Sequence, residues 1–445
     1  MKKPNFIVIM TDDQGYGDLS CMGATDFKTP NIDRLAASGA RFTSWYSASP
    51  VCSPSRAALL TGRYPGNAGV RSILAGHRKC SGLLPEVPTL SSELKKLGYQ
   101  TALFGKWHLG LKEECRPHQH GFDEWMGFMA GCIDYYSHIF YWGIGDKNCP
   151  NPTHDLWKNN EEINEDGKYF TEMVTENTVE YIRKAVREDK PFFTYVAYNA
   201  PHYPMHAPKK YTERFAHLTW DRRIMAAMIS AVDDGIGDIL DELERQGILD
   251  NTCIFFQSDN GPSRESRNWM DGNEDPYYGG TTGKLKGHKY SLYEGGIRVP
   301  GIISWPEKIP GGQVLHEAGI ATDIFPTFIK AAGGDICGYE LDGEDILPAL
   351  CDKTSLPQRE LYWEMMGQTA VRRGDWKLVL KGQLVEGTAP EDDIYLSNLK
   401  EDPGERENLK DKYPEIVAEL ADAACKWRDG MEDRWENYWK SRMNA

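Results

Sequence analysis

The chain of 445 residues carries 66 Asp and Glu against 51 Lys and Arg, a formal charge of −15, and is 40% apolar and 11% aromatic. That composition fills the cores of two or three domains of ~150 residues each and excludes a disordered, collagen-like or coiled-coil chain. So acidic a surface argues against generic nucleic-acid binding, which needs basic patches to neutralise phosphates, yet leaves room for a small basic pocket for an anion. In chain order, a continuous apolar run at 5–10 that stops at carboxylates reads as a buried parallel strand. Pro30 opens, and Gly39 closes, a helix that begins after Thr29. A helix at 91–97, ended by Gly98, precedes a strand at 101–104. Helical spacing covers 172–186, until Pro191 turns the chain into a strand at 192–198. A long amphipathic helix at 224–243 and a strand at 252–257 follow. This alternation predicts an α/β fold with a large, mainly parallel mixed sheet sandwiched by helices. The C-terminal part instead gives short strands at 360–364, 370–371, 377–380 and 394–396 and a helix at 413–427, which together predict a smaller antiparallel sheet plus helix. The expected domains are 1–350 and 351–445, with the border inside 340–358.

No apolar run approaches the ~20 residues of a membrane span, so no membrane partner is expected. Met1-Lys2-Lys3 is like the start of a signal peptide, but the apolar stretch after it ends at Thr11-Asp12-Asp13. That leaves a cytoplasmic protein, or a periplasmic or secreted one whose leader has been removed. The ten cysteines form no C-x-x-C pair and no even, closely spaced framework, so neither a disulfide scaffold nor a structural zinc is expected.

Three of the predicted strands lead into Asp12-Asp13-Gln14-Gly15, Asn199-Ala200-Pro201-His202 and Ser258-Asp259-Asn260-Gly261. Sites in open α/β sheets lie at the carboxyl ends of strands, so these segments can converge. Asp12, Asp13, Asp259 and Asn260 are hard oxygen ligands, suited to Ca²⁺ or Mg²⁺ rather than zinc. Each segment alone is an ordinary turn sequence; three at comparable strand ends point to one site. In residues 51–63, Ser53 suits an N-cap, Pro54 the first helical position and Gly62 the C-terminal stop. Cys52 then stands just ahead of a helix N-terminus, where free N–H groups favour an anion, and Arg56 lies in the first turn. Taken alone, Cys52 is either a small buried residue or a thiolate nucleophile.

Cys52, Pro54, Ser55, Arg56, Thr61, Gly62 and Arg63 fit the pattern C-x-P-S-R-x-x-x-x-T-G-R, and Gly98, Tyr99, Thr101, Gly105, Lys106 and His108 fit G-Y-x-T-x-x-x-G-K-x-H. These are the two signatures of the type I, formylglycine-dependent sulfatases of the alkaline phosphatase superfamily, which the chain resembles over nearly its whole length. Further matches are Asp12-Asp13, Ala200-Pro201-His202, Asp259-Asn260-Gly261, Lys289 with Tyr293-Glu294-Gly295-Gly296, residues 372–378 and Asp402-Pro403-Gly404-Glu405. The resemblance implies that a separate maturation enzyme converts Cys52 to formylglycine, whose hydrate attacks sulfur with one hydroxyl and expels sulfate through the other. It implies that Asp12, Asp13, Asp259, Asn260 and an oxygen of residue 52 bind one divalent ion, usually Ca²⁺, with Mg²⁺ as the alternative. Arg56 and Lys106 are implied to hold the diol and balance the anion. His108 is implied to take a proton during sulfate release, and His202 to protonate the leaving alcohol with Lys289 beside it. Lys284 and Lys286 compete for the last role; Lys289 has the family's four-residue spacing to Tyr293.

Residues 127–138 resemble the corresponding segment of arylsulfatase B-like and N-acetylgalactosamine sulfatase-like enzymes, which implies a sulfated sugar as substrate. Tyr135, Tyr136, His138 and Trp142 are either a sugar subsite or aromatic packing, and the long segment 264–288 is a second candidate wall. His118 and His120 have no ligand or triad spacing and read as structural. The expected function is hydrolysis of sulfate from a terminal sugar of a sulfated glycan. The alternatives are a phosphonate monoester or phosphodiester hydrolase of the same superfamily, separated by relative turnover of the two ester classes, and a non-catalytic glycan binder, separated by the aldehyde content of residue 52. No nucleic-acid partner is expected, and the oligomeric state is not legible.

Overall fold

The apolar run near the start becomes β1 (Asn5–Thr11), buried along its whole length at the middle of a ten-stranded sheet. The computed structural model describes residues 2–141, 152–264, 279–356 and 358–443. With β2 (Gln100–Lys106), β3 (Glu124–Phe128), β4 (Phe192–Ala197) and β5 (Thr252–Ser258), β1 forms a parallel centre in the order β5-β1-β4-β2-β3. Gly301–Ser304 pairs antiparallel with β5 and continues to Ala40–Phe42 and Gln313–Leu315; Trp157–Lys158 and Glu161–Glu162 extend the opposite edge. The mixed, mainly parallel sheet expected from the sequence is therefore present.

Side-chain alternation along β1 explains why its sequence shows no polar face. Phe6, Val8 and Met10 enter one core with Tyr195, Phe255 and the helix α1 (Cys52–Thr61). Ile7 and Ile9 enter the other with Val196, Ile254, Phe256 and the helices α2 (Phe170–Arg187) and α3 (Trp220–Arg245). A strand covered on both faces needs apolar residues in both directions. Both long helices outrun their predicted ends by one to four residues per side, where mostly polar terminal turns add little to the apolar period.

The start of α1 differs from expectation. Val51, not Ser53, occupies the N-cap position and Cys52 is the first helical residue. The Ser53 hydroxyl accepts the Leu74 N–H at 3.1 Å, so a tertiary partner has taken the oxygen that a cap would have used. Gly62 ends the helix in the left-handed region at φ 67°, as its position predicts.

The C-terminal strands Glu360–Met365, Gln368–Arg373, Trp376–Leu380 and Ile394–Asn398 form an antiparallel meander. One face carries Val371, Leu378 and Leu396 against Leu420 and Ala424 of the helix Pro414–Arg434. The other face carries Trp363, Ala370, Val379 and Tyr395 onto Tyr46, Val51, Ala58 and Tyr293 of the main body. The small sheet thus lies over the helix that bears Cys52. Among the described residues no helix is long and apolar enough to cross a membrane.

Candidate active site

The carboxyl ends of β1, β2, β4 and β5 open on the same edge of the sheet. β1 delivers Asp12 and Asp13, β2 ends at Lys106 with His108 two residues on, β4 leads to His202, and β5 to Asp259 and Asn260. Asp13 and His108 take left-handed backbone, φ 61° and 54°, which aspartate and histidine tolerate better than most residues. These sharp turns stop the strands together at the site.

Cys52 Sγ lies 3.5 Å from Asp12 Oδ1. Arg56 Nη2 is 2.8 Å from Asp259 Oδ2 and 3.5 Å from Asp12 Oδ1, and all three side chains are fully buried. Lys106 Nζ donates to Asp12 Oδ2 at 2.6 Å. Asn260 Nδ2 donates to Asp13 Oδ1 at 2.6 Å, and Lys289 Nζ to Asp13 Oδ2 at 3.0 Å. Lys289 Nζ also stands 3.3 Å from His202 Nε2, while His202 Nδ1 donates to the Tyr203 carbonyl at 2.8 Å. His108 Nε2 donates to the Leu74 carbonyl at 3.0 Å, which leaves its buried Nδ1 without a partner. The residues selected from sequence as catalytic or metal-binding are therefore joined in one linked cluster, save His108, which bonds to Leu74 and is near enough to feel the charges of Lys106 and Arg56.

Burial opposes charge on Asp12, but Lys106, Arg56 and Lys289 outweigh it and hold the carboxyl below its ordinary value. At Asp259, burial and the nearby Asp12 carboxylate prevail over Arg56 and Lys106, and the value rises. Burial likewise drives the Cys52 thiol well above its usual range, with Lys106 and Lys289 only partly compensating. That direction disfavours a thiolate at unmodified Cys52. Burial, then Lys289, keeps His202 neutral; burial, then Lys106, does the same for His108.

One ligand atom from each of Asp12, Asp13, Cys52 and His202 falls within 4.8 Å of the others. Asn260 Oδ1 is a buried acceptor with no hydrogen-bond partner. Three carboxylates and an orphaned amide oxygen fit a hard divalent cation. The profile of the Sulfatase family matches residues 4–334, and that of the C-terminal part of N-sulphoglucosamine sulphohydrolase matches 287–429. The chain belongs to the sulfatase family. It is 31% identical to arylsulfatase J of Mus musculus over 94% of this chain and 74% of that one. It is 34% identical to N-acetylgalactosamine-6-sulfatase of Mus musculus, over 84% and 71%. The solved structure of Ps i-CgsB in complex with k-i-k-neocarrahexaose superposes with a TM-score of 0.85 at 32% identity, covering 98% of this chain and 94% of that one. The protein is a sulfatase, and the family brings a metal site with it.

The two sulfatase signatures divide their labour. Cys52, Arg56 and Lys106 belong to the cluster and His108 is anchored beside them on Leu74, whereas Thr61 closes its own helix through the Ala57 carbonyl and Thr101 donates to the Gly121 carbonyl. Lys284 is exposed, and Lys286 turns to Glu391 at 2.5 Å and lies over the Tyr395 ring, so both serve elsewhere. The sugar-subsite reading of Tyr135 and His138 is corrected: both are fully buried. Tyr135 donates to the carbonyls of Asn199 at 2.9 Å and His202 at 2.8 Å, fixing the turn that presents His202. Tyr136 remains partly exposed beside Tyr169 and His206. Trp142 and residues 265–278 of the second candidate wall lie outside the described residues. His118 contacts Glu113 at 3.2 Å and His120 packs on Trp107.

Sequence reasoning missed three contributors. Tyr195 places its hydroxyl 3.4 Å from Arg56 Nη1, from a strand whose other residues are all core. The Leu74 carbonyl fixes the tautomer of His108 from a loop with no motif. Gly131 lies so close to His108 that an added Cβ would meet the imidazole at 3.0 Å. Only that glycine was inside a segment already singled out.

Proposed function

We propose that this sulfatase removes sulfate from a terminal sugar of a sulfated glycan, with residue 52 acting as formylglycine beside one Ca²⁺. The observation that carries the reading is the charge balance of the cluster. Asp12, Asp13 and Asp259 offset Arg56, Lys106 and Lys289, so a divalent ion would leave an excess of about two positive charges facing the place of Cys52. That excess suits a sulfate ester and the sulfate dianion it yields. Asp12, Asp13, Asp259 and Asn260 would hold the ion, which when bound lowers the pKa of an oxygen it touches and offsets sulfate charge. Formylglycine hydrate supplies a nucleophile that is regenerated when sulfate leaves.

The chain's own groups have separate roles. Arg56 and Lys106 reach the cluster from the helix and from β2; both pair with Asp12, whose carboxyl they hold below its ordinary value, and Arg56 also pairs with Asp259. His202, neutral and anchored through Nδ1, directs Nε2 at Lys289, so the pair holds one proton that can pass to the leaving alcohol. His108, anchored through Nε2, offers Nδ1 as the acceptor for the proton released with sulfate. The N-acetylgalactosamine-6-sulfatase relative and the saccharide-bound neighbour support a sugar substrate. A chain at −15 with no runs of Lys or Arg repels a long polyanion and favours a chain end, held by the local pocket.

The test is a desulfation panel of defined sulfated mono-, di- and hexasaccharides against aryl sulfates and phosphate esters, using protein whose residue 52 carries the aldehyde by mass spectrometry. Terminal sugar sulfates are expected to lead. Equal release of internal sulfates from long polymers overturns the terminal reading, and preference for aryl sulfates or phosphate esters overturns the glycan reading.

A further inference from the structure

A second set of metal-ligating side chains stands apart from the catalytic cluster, on the two-stranded ribbon Ile139–Phe140 and Thr153–His154. His138 precedes the first strand, and its carbonyl accepts the Asp155 N–H at 2.9 Å, so His138 and His154 belong to facing strands. The next loop contributes Asp166 and is tied down by the Gly167 N–H, which bonds the Tyr136 carbonyl at 2.9 Å. One ligand atom from each of His138, His154 and Asp166 falls within 4.8 Å of the other two.

The two imidazoles are held in complementary ways. His138 is fully buried; its Nε2 donates to the Lys168 carbonyl at 3.2 Å, and its Nδ1 is buried with no partner. His154 Nδ1 lies 3.1 Å from Glu162 Oε1, and its Nε2 is the buried, unpartnered atom. Glu162 is itself gripped by Arg78 at 3.0 Å. Histidines that bind metals have this arrangement: one nitrogen is fixed by a carbonyl or carboxylate, so that the other presents its lone pair. Buried polar atoms otherwise find partners, and here two orphans and a carboxylate converge.

From this geometry we infer that His138, His154 and Asp166 form a zinc site. Two imidazoles and one carboxylate select a borderline transition metal over calcium, and three protein ligands leave a fourth position for water. The site would fasten the ribbon to the loop bearing Asp166. Asp155, next to His154, accepts the N–H groups of Met129 at 3.0 Å and Ala130 at 2.7 Å. Those residues lead directly to Gly131 against His108, so the ion would brace a wall of the active site from behind.

Zinc chloride titrated calorimetrically into chelator-treated full-length protein, with calcium in large excess to occupy the hard-oxygen cluster, is expected to show one binding event. His154→Ala and Asp166→Ala, at a partly exposed and an exposed position, should abolish it, and Glu162→Gln should weaken it ~10–100-fold. Cobalt in place of zinc should give the visible absorption of a low-coordinate nitrogen–oxygen site in the wild type and not in His154→Ala. Asp13→Asn should bind zinc as the wild type does. No zinc event in the wild type, unchanged affinity in His154→Ala, or loss of the event in Asp13→Asn would each overturn the assignment.

Discussion

Two buried charge clusters in this sulfatase are built from similar parts and finished differently. Between the sheets, Lys377 Nζ lies 2.8 Å from Glu294 Oε1 and 3.2 Å from Glu405 Oε1, with all three side chains fully buried. Glu294 Oε2 also accepts from Tyr46 at 2.6 Å and Arg298 at 3.2 Å, and Arg372 donates to the Tyr46 hydroxyl. Each carboxylate there meets a cation from another segment, and the network fastens the C-terminal sheet to the main body. The catalytic cluster is as deeply buried, and it leaves Asn260 Oδ1 and His108 Nδ1 without hydrogen-bond partners, whereas Glu405 Oε1, which also lacks a hydrogen bond, is ion-paired to Lys377 at 3.2 Å. Buried charge alone therefore does not mark a functional site. A carboxylate cluster with an amide oxygen left over, as at Asn260 Oδ1, has room for a further cation, which the Lys377 network does not need.

Substitutions in the two clusters should fail in opposite ways. The largest expected effect is total: Cys52→Ala should abolish sulfate release while its melting temperature stays near that of the wild type, because Sγ makes only a weak contact. A residual turnover well above background would place the nucleophile elsewhere. Glu294→Gln should do the reverse, costing ~3–5 kcal/mol in urea unfolding because Lys377 and Arg298 lose their shared anion, while folded molecules keep their kcat. If Glu294→Gln unfolded like the wild type, the network would be ornamental and the contrast would collapse. Calcium at ~100 times its Kd should stabilise the metal-depleted protein by ~2.7 kcal/mol, an increment that Asn260→Ala should reduce. Thermal scans with and without calcium decide this.

The pH dependence separates the clusters further. Burial, reinforced by Glu294 and opposed by Lys377, pushes the Glu405 carboxyl up to about 7. Between its ordinary value near 4.5 and 7, the folded protein keeps a proton that the unfolded chain has lost, so stability falls as pH rises through that window. Glu405→Gln should flatten this decline, by on the order of 2 kcal/mol, and a wild-type stability that climbs between pH 5 and 7 with the same slope in both proteins would refute the assignment. The smallest change is Tyr135→Phe. Loss of one hydroxyl to the Asn199 and His202 carbonyls should cost ~1 kcal/mol and lower kcat more than it alters KM, as expected for a group that positions His202.

The parallel centre was readable because a strand buried on both faces leaves a continuous apolar run, as at Phe6–Met10, and the site was readable because its ligands follow directly on such strands. The interior of the C-terminal network was not. Tyr46 and Glu294 meet across 248 residues of chain, and no local pattern records that pairing. Tyr135 was visible as an aromatic in a suggestive segment, but its neighbours carry no sign of whether its hydroxyl turns to solvent or to the carbonyls behind His202. The helix start failed for a related reason: Ser53 has the right chemistry for a cap, and only the fold shows that the Leu74 amide claims it.

All ten residues of the helix that begins at Cys52 are buried, and part of its cover comes from Trp363, Ala370 and Val379, some three hundred positions later in the chain. The Val51 and Ala58 side of this helix is therefore covered only once the last strands have been made and have docked. A chain cut short before Trp363 would leave that side of the helix bare, so the element that carries residue 52 reaches its final packing last although it is made early.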